Sequence, residues 1–376
     1  MSASKSKRFL IIASFPKSII AFRGKLIETL IEKGTEVHVA APDLQQPCVV
    51  RDSLEKMGVR VHEISLKRTG MNPFADIITV FELWKLMRSV KPHHSLCYTV
   101  KPVVYGSIAG WLAKIPHRFA LITGLGYAFT GTGRSVTRNI LHRMYAFALA
   151  RVEKVFFQNP DDEGLFRELG IIKNTNTVVV HGSGVDVDEY KKSPLSTEPH
   201  FLLIARLLGD KGVREYAEAS RVIRQRYPQA ICSLVGWIDE NPDAIELHEV
   251  EQWNSSGWIQ YLGRLEDVRE AIAASNIYVL PSYREGTPRT VLEAMSMGRP
   301  IITTDVPGCR ETVVDGENGY LVSAKSVDEL ITAMVRFIEN PELIQRMGNQ
   351  SRIIIETKYD VRKVNNVMLE EMGITI

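Results

Sequence analysis

The chain alternates between two hydrophobic rhythms. Short continuous apolar runs stand at RFLIIASF (8–15), EVHVAAP (36–42), SLCYTV (95–100), RFALIT (118–123), KVFFQN (154–159) and TVVVHG (177–182). RVHEISL (60–66) alternates apolar and polar positions. Between these runs, AFRGKLIETLIEKG (21–34) and NPFADIITVFELWKLMRSVKP (72–92) carry apolar residues at helical spacing and stop at Gly34 and Pro92. Strands alternating with helices of this length predict parallel β-α-β units and a doubly wound sheet. GVDVDEYKKSPLSTEPH (184–200) breaks the rhythm: it is polar, has two prolines and lacks periodicity, which predicts an inter-domain linker. The alternation then restarts. FLLIAR (201–206), ICSLVGW (231–237), WIQYLG (258–263), NIYVLPSY (276–283) and PIITTDV (300–306) read as strands. VREYAEASRVIRQRY, SVDELITAMVRFIEN and PELIQRMGNQSRIIIE read as helices. The expected division is therefore 1–186, 187–355 and a closing segment, 356–376, read as a helical tail packing back on the first domain. Two such domains would leave a cleft between them, and residues just after strands become the ones to inspect.

Composition narrows the class. At 376 residues the chain has room for two domains of roughly 100–200 residues each. No stretch approaches the ~18 uninterrupted apolar residues of a spanning helix. MSASKSKRFLIIASFP resembles a signal peptide loosely, but its apolar run is short, and it reads as a basic lead-in to a buried first strand. Cys48, Cys97, Cys232 and Cys309 are widely spaced, with no C-x-x-C pair, which argues for a reducing compartment and against a zinc site. The nine histidines form no metal-spaced cluster; His93-His94 precedes a strand, and no catalytic metal is expected. Net charge is only +2, but it is uneven. Residues 1–186 hold 25 Lys and Arg against 15 Asp and Glu, a net of +10; residues 187–376 hold 21 against 29, a net of −8. The basic half suits an anionic partner: nucleic acid, anionic lipid or a phosphorylated substrate. No nucleic-acid reading motif accompanies the charge.

Four segments carry candidate chemistry. In YREGTPRTVLEAM (283–295), Thr287 suits an N-cap and Pro288 the first helical position, with Gly298 and Pro300 closing the helix. Glu285 then lies in the loop and Glu293 inside the helix, which does not suit a glycosidase pair flanking one bond. The amides of Gly286 and Thr287, followed by Arg289 and Thr290, suit a phosphate. A capped helix with solvated glutamates has the same spacing. In ARLLGDKG (205–212), Arg206 and Lys211 flank a strand-to-helix turn, as a diphosphate site requires, although two surface cations at a turn would look alike. The Walker spacing is absent. ITGLGYAFTGTGR (122–134) has four glycines but not G-x-G-x-x-G, and reads as a substrate loop. In RSVTRNILHRMYAFALARV (134–152), Arg134, Arg138 and His142 form one helical stripe beside an apolar side of Ile140, Leu141, Met144, Tyr145, Phe147 and Leu149. Such a helix can lie on an anionic membrane, and a helix with one buried face and a cationic edge has the same pattern.

In this order the segments resemble the retaining nucleotide-sugar glycosyltransferases of family 4, which have the GT-B fold. The likeness is strongest over 201–325, through ARLLGDKG, LVGW, YLGR, EGTPRTVLEAMSMGRPIITTDVPGCRETV and DGENGYLV. HGSGVDVDEY (181–190) is similar to the family's inter-domain segment, and AFRGKLIETL and ITGLGYAFTG are similar to a subgroup that builds bacterial surface polysaccharides and lipid-linked oligosaccharides. The resemblance implies two Rossmann-like domains facing a cleft, with acceptor bound by the first and nucleotide sugar by the second. Arg206 and Lys211 would hold the donor diphosphate and Glu293 the ribose. Glu285, with the amides of Gly286 and Thr287, would hold the sugar; Arg206, Lys211 and Glu285 form the implied catalytic set. Gly263 and Arg264 would meet the base, with Gly236, Pro288 and Thr290 completing the donor site. The family's Gly-Gly loop is replaced here by ASFPKSIIAFRG, and its active-site His by ITGLG. Phe15, Ser18, Arg23 and Tyr127 are the acceptor candidates. The implied partners are a UDP-sugar, with an N-acetylated sugar favoured, a polyprenyl-diphosphate-linked saccharide, and the inner membrane surface met by a cytoplasmic, peripheral protein. No cofactor and no nucleic acid are implied. A UDP-sugar 2-epimerase of the same fold and a non-catalytic nucleotide-sugar-binding partner are the alternatives.

Overall fold

A computed structural model describes residues 6–67, 73–125, 136–196, 198–239, 241 and 243–374. The chain divides into two compact units: Met1–Ser183 with Val364–Ile376, and Gly184–Lys363. Each is built on one parallel sheet. Among the described residues, the first sheet has β1 (Arg8–Ile12), β2 (Glu36–Ala41), β3 (Arg60–Glu63), β4 (His94–Tyr98), β5 (His117–Ile122), β6 (Lys154–Phe157) and β7 (Asn176–Val179). Their order is β3-β2-β1-β4-β5-β6-β7. The second has β8 (His200–Ile204), β9 (Ile231–Val235), β10 (Gln260–Tyr261), β11 (Ile277–Leu280), β12 (Ile301–Thr304) and β13 (Gly319–Val322), in the order β10-β9-β8-β11-β12-β13. The chain thus winds outward in one direction, returns to the middle and winds outward in the other. The reversal falls between β1 and β4 in the first sheet and between β8 and β11 in the second. These are the switch points at which open α/β sheets bind ligands.

The continuous apolar runs are strands covered on both faces, as parallel sheets require. Phe9, Leu10, Ile11 and Ile12 are fully buried and point alternately into the two core clusters of the first unit. The signal-like N-terminal run is therefore this strand. The second sheet is sandwiched in the same way, with Leu203 on one side and Leu202 on the other. The helix Val361–Glu371 ends the chain. Its Met368 and Leu369 join Phe9 and Ile11 in the core of the first unit.

Three expectations change. The polar segment after Gly184 is not a free linker: Val185, Val187 and Tyr190 are buried in the core of the second unit. The division falls at 183/184 rather than 186/187, and the final change of unit at 363/364 rather than inside 355/356. Two arginines from far along the sequence hold the 187–194 segment. Arg299, fully buried, donates to the carbonyls of Ser193, Pro194, Met297, Ile272 and Ala273 and to Ser193 Oγ at 2.8–3.1 Å. Arg352 donates to the carbonyls of Val187, Tyr190 and Ser296. Lastly, the basic amphipathic helix spans Val136–Leu149 and splits its apolar side. Tyr145, Ala148 and Leu149 are buried, whereas Ile140 and Phe147 are exposed. Arg134 lies outside the described residues.

Candidate active site

The carboxyl ends of β8 and β11 are drawn together by backbone that leaves no room for a side chain. Gly212 starts the helix Val213–Arg226 in the left-handed region, φ +68°. A Cβ there would stand 2.1 Å from the carbonyl oxygen of Pro281, just past β11. Only glycine fits both the conformation and the approach. The contact brings the turn carrying Lys211 against the loop carrying Glu285. Asp210 also accepts from the Tyr283 amide, at 2.8 Å. On the other side, Gly308 at φ +84° packs against Glu285, whose amide donates to Pro307 O at 3.0 Å; a Cβ on Gly308 would stand 2.2 Å from Glu285 O.

Lys211 and Glu285 therefore meet. Lys211 Nζ lies 2.7 Å from Glu285 Oε1, and both side chains are less than one-fifth exposed. Ser282 Oγ donates to the same carboxylate oxygen at 2.9 Å. Burial alone would lower the Lys211 pKa, but the attraction of Glu285 and Asp210 outweighs it and the net direction is upward. Asp210 is raised by burial and by the neighbouring Glu285 and Asp243 carboxylates, against the pull of Lys211. Arg206, two residues past β8, is half-exposed and 3.2 Å from Asp239. Two cations with different tethers thus stand at one strand-to-helix turn.

Glu293 has a different environment. It sits in the helix Arg289–Ser296, is 6% exposed, and pairs through Oε1 with Arg289 Nε at 2.8 Å. Burial pushes its pKa up, opposed by Arg289 and by a hydrogen bond with Tyr190. The helix starts one residue later than expected: Pro288 takes the N-cap position and Arg289 the first helical one. Thr287 does not cap; its hydroxyl donates to Gly286 O at 3.0 Å. Gly298, φ +81°, closes the helix, with Arg299 N bonded to Ala294 O, as expected of a C′ glycine. Thr290 Oγ1 reaches Ile204 O at the end of β8, at 3.4 Å. Gly236 and Gly263 follow β9 and β10 and are joined by a 2.9 Å amide–carbonyl bond. Gly236 is tight against Ala205 O, 2.1 Å from an imagined Cβ, whereas Gly263 has open space around it. Arg264 lies 5.1 Å over the Trp237 ring.

In the first unit the switch point is marked by hydroxyls. Ser14 Oγ and Thr99 Oγ1 bridge the ends of β1 and β4 at 2.7 Å. Ser18 Oγ donates to Phe15 O at 2.6 Å and lies 3.1 Å from Tyr98 OH. Phe15 is exposed. Arg23 is 1% exposed, with its guanidinium 5.5 Å from the Tyr98 ring centre. Tyr127, with most of the glycine-bearing stretch 122–134, lies outside the described residues.

Two family models divide the chain much as its fold does. Residues 186–353 match the glycosyl transferases group 1 model, and residues 21–182 match the glycosyl transferase 4-like domain. The chain is a glycosyltransferase. It has the GT-B fold, which its structural neighbours share. A sucrose-phosphate synthase from Thermosynechococcus elongatus superposes with a TM-score of 0.79 at 18% identity, covering 97% of this chain and 98% of that one. Anabaena HepE, solved with UDP and glucose, gives 0.77 at 19%, covering 97% and 99%. Among named relatives, the N,N'-diacetylbacillosaminyl-diphospho-undecaprenol alpha-1,3-N-acetylgalactosaminyltransferase of Campylobacter jejuni is 29% identical over 87% of this enzyme and 88% of its own length. The UDP-Gal:alpha-D-GlcNAc-diphosphoundecaprenol alpha-1,3-galactosyltransferase of Escherichia coli is 25% identical over 78% of each. Both relatives are named for an undecaprenyl-diphosphate-linked sugar.

Sequence reasoning missed several residues that pack into this candidate site. Asp210 and Ser282, the partners that fix Lys211 and Glu285, stood inside quoted segments without a role. Arg289 and Glu293 are four apart on one helix, a spacing that announces an ion pair. Tyr190 lies 103 positions before Glu293 and has no local signal.

Proposed function

We propose that the enzyme moves a sugar from a UDP-sugar to a saccharide carried on polyprenyl diphosphate, with retention of anomeric configuration and without a metal. The observation that carries the reading is the convergence of Arg206, Lys211, Glu285 and Glu293 on the ends of β8 and β11. In this reading Arg206 and Lys211 grip the diphosphate, Glu293 accepts the ribose hydroxyls, and Glu285 with the amides of Gly286 and Thr287 orients the sugar. Gly263 and Arg264 meet the base, and Gly236, Pro288 and Thr290 shape the walls. The bond from the anomeric carbon to the phosphate oxygen breaks. The acceptor oxygen bonds to the same face, and its proton passes to the departing phosphate. The protein then contributes positioning and stabilisation of the leaving charge. The C. jejuni and E. coli relatives support the acceptor class by the diphospho-undecaprenol sugars in their names, and the former favours an N-acetylated donor sugar. HepE bound to UDP supports the base. Phe15, Ser18 and Tyr127, backed by Arg23, are the proposed acceptor contacts. The first unit meets the anionic inner face of the membrane from the cytoplasm, helped by the +10 net charge of residues 1–186. Among the described residues no helix is long and apolar enough to cross a membrane.

The test combines ligand stabilisation with transfer. UDP should raise the melting temperature more than GDP or dTDP, since a ligand bound only by the native state adds stability. Labelled UDP-N-acetylhexosamine should pass its sugar to a short-chain polyprenyl-diphosphate saccharide, and a folded Arg206→Ala variant should lose at least 100-fold in kcat/KM. Full activity in that variant, or epimerisation of the donor without acceptor, would overturn the proposal.

A further inference from the structure

The helix Pro73–Val90 of the first unit is apolar on both sides. Its inner face, with Leu83 and Met87 fully buried, packs on the core. Its outer face should be polar if it met only water. Instead, Phe74, Ile77, Ile78 and Phe81 are 82%, 67%, 54% and 51% exposed. Spacings of three and four place them in one stripe. The stripe continues into exposed Lys85 and Arg88, with Lys85 Nζ 4.6 Å from the Phe81 ring centre. The helix's two acids are turned aside. Asp76 is paired with Lys101 at 3.0 Å, and Glu82 accepts from Ser65 N and Oγ at 2.9 and 3.1 Å. The outer face therefore presents large apolar side chains followed by cations.

The neighbouring helix Ser107–Leu112 packs against this one and extends the surface. Its Trp111 is exposed and meets exposed Phe147 edge-on, at 6.3 Å. The Arg151 guanidinium lies 4.6 Å from the Trp111 ring centre and 3.4 Å from that of Phe147. Aromatic and aliphatic side chains beside Lys and Arg make up the chemistry that seats a protein at the headgroup boundary.

We infer that the outer stripe of Pro73–Val90, with its cationic end, is the surface by which the enzyme docks on an anionic lipid bilayer. This rests on the reading that the acceptor is lipid-borne, and it centres the contact on Pro73–Val90, with Val136–Leu149 contributing only Phe147 beside Trp111. Charge complementarity selects the occupant. A second copy apposed through the same stripe would offer Lys85 and Arg88 no carboxylate, because Asp76 and Glu82 are engaged by Lys101 and Ser65, whereas anionic headgroups neutralise them. The side chains enter the acyl boundary and the two cations stay among the phosphates.

Flotation with vesicles, without donor or acceptor, tests the surface. Wild-type enzyme should float with phosphatidylglycerol–phosphatidylcholine vesicles and much less with pure phosphatidylcholine. Ile77→Ser/Phe81→Ser, both at exposed positions, should keep the wild-type melting temperature and bind anionic vesicles at least tenfold more weakly. Lys85→Glu/Arg88→Glu should bind weakly and lose most of the salt dependence. Equal binding by wild type and the apolar double variant overturns the inference, as does failure of wild type to bind any vesicle. A wild-type dimer in sedimentation that the double variant abolishes also overturns it, because the stripe is then a self-interface. Transfer to a detergent-dispersed short-chain acceptor separates the two readings. If both proteins transfer equally while binding vesicles equally, the docking surface is wrong and the acceptor reading stands.

Discussion

The Lys211–Glu285 pair makes opposite demands on stability and on binding, and substitution should separate them. The pair is 2.7 Å long, and both side chains are mostly out of water. Lys211→Met leaves the Glu285 carboxylate with Ser282 but without its cation. Breaking a buried pair by removing one partner costs about 3–5 kcal/mol, and the residual exposure here brings this to roughly 2–3 kcal/mol. Glu285→Gln leaves an amide oxygen for Lys211 and the nearby Asp210 charge, so roughly 1–2 kcal/mol is expected. The double substitution should cost less than the sum, with a coupling of about 1–2 kcal/mol. Binding runs the other way. Removing a negative charge from beside the proposed diphosphate seat is worth about 2 kcal/mol per unit of phosphate charge at roughly 7 Å and an effective dielectric of about 20, before screening. Glu285→Gln should therefore bind UDP up to tenfold more tightly while transferring sugar far more slowly. Urea unfolding and titration calorimetry with UDP measure the two effects. Additive stabilities, or weaker UDP binding by Glu285→Gln, would refute the reasoning.

Arg299→Met should strip the 184–196 segment of its anchor. It deletes six donated hydrogen bonds from a fully buried guanidinium. A loss of about 3–5 kcal/mol is expected in urea unfolding, since each stranded carbonyl costs about 1 kcal/mol or more. For Glu293, burial raises the folded pKa above the ordinary 4.5, so its contribution to stability is present below that value and is lost as pH rises through the folded pKa. The melting temperature of Glu293→Gln minus that of wild type should accordingly become more positive from pH 4.5 upward, while UDP binding weakens about tenfold. An unchanged difference across that range would sink the assignment. Gly308→Ala forces a Cβ toward Glu285 O at an unfavourable φ, so kcat should fall at least tenfold with a stability loss of about 1–3 kcal/mol; wild-type kinetics would show that the loop yields.

The sheets were legible because parallel strands buried on both faces read as continuous apolar runs, and these begin where RFLIIASF and NIYVLPSY place them. Boundaries were less legible: WIQYLG contributes only Gln260–Tyr261 as strand, since the edge strand pairs on one side. Arg206, Lys211, Glu285 and Glu293 could be chosen from their positions after strands. That Lys211 and Glu285 touch could not be read, because they are 74 residues apart and are joined by the close approach of Gly212 to Pro281. The linker expectation failed for the same reason. Polar, proline-containing sequence looks unstructured until Arg299 and Arg352, more than a hundred residues downstream, take its carbonyls. The outer stripe of Pro73–Val90 was hidden differently. A helix apolar on both faces shows helical spacing from either face, and spacing does not reveal which face is buried.

The two glutamates of YREGTPRTVLEAM illustrate how environment, rather than residue type, divides roles. Glu285 stands in a loop, shares one oxygen between Lys211 and Ser282, and is the counter-ion of the cation assigned to the diphosphate. Glu293 is buried in a helix, held by Arg289 and Tyr190, and burial favours its protonated form. A general base must be able to reach the acceptor proton, and a nucleophile must face the anomeric carbon. A carboxylate already committed to Lys211 is poorly placed for the first task, and one 6% exposed is poorly placed for the second. In the proposed reading both instead hold hydroxyl groups, while the charge that develops on the leaving diphosphate falls on Arg206 and Lys211. The proposed transfer then places its electrostatic work on the cations and its positioning on the acids, which is why stability and UDP affinity should move apart when Glu285 loses its charge.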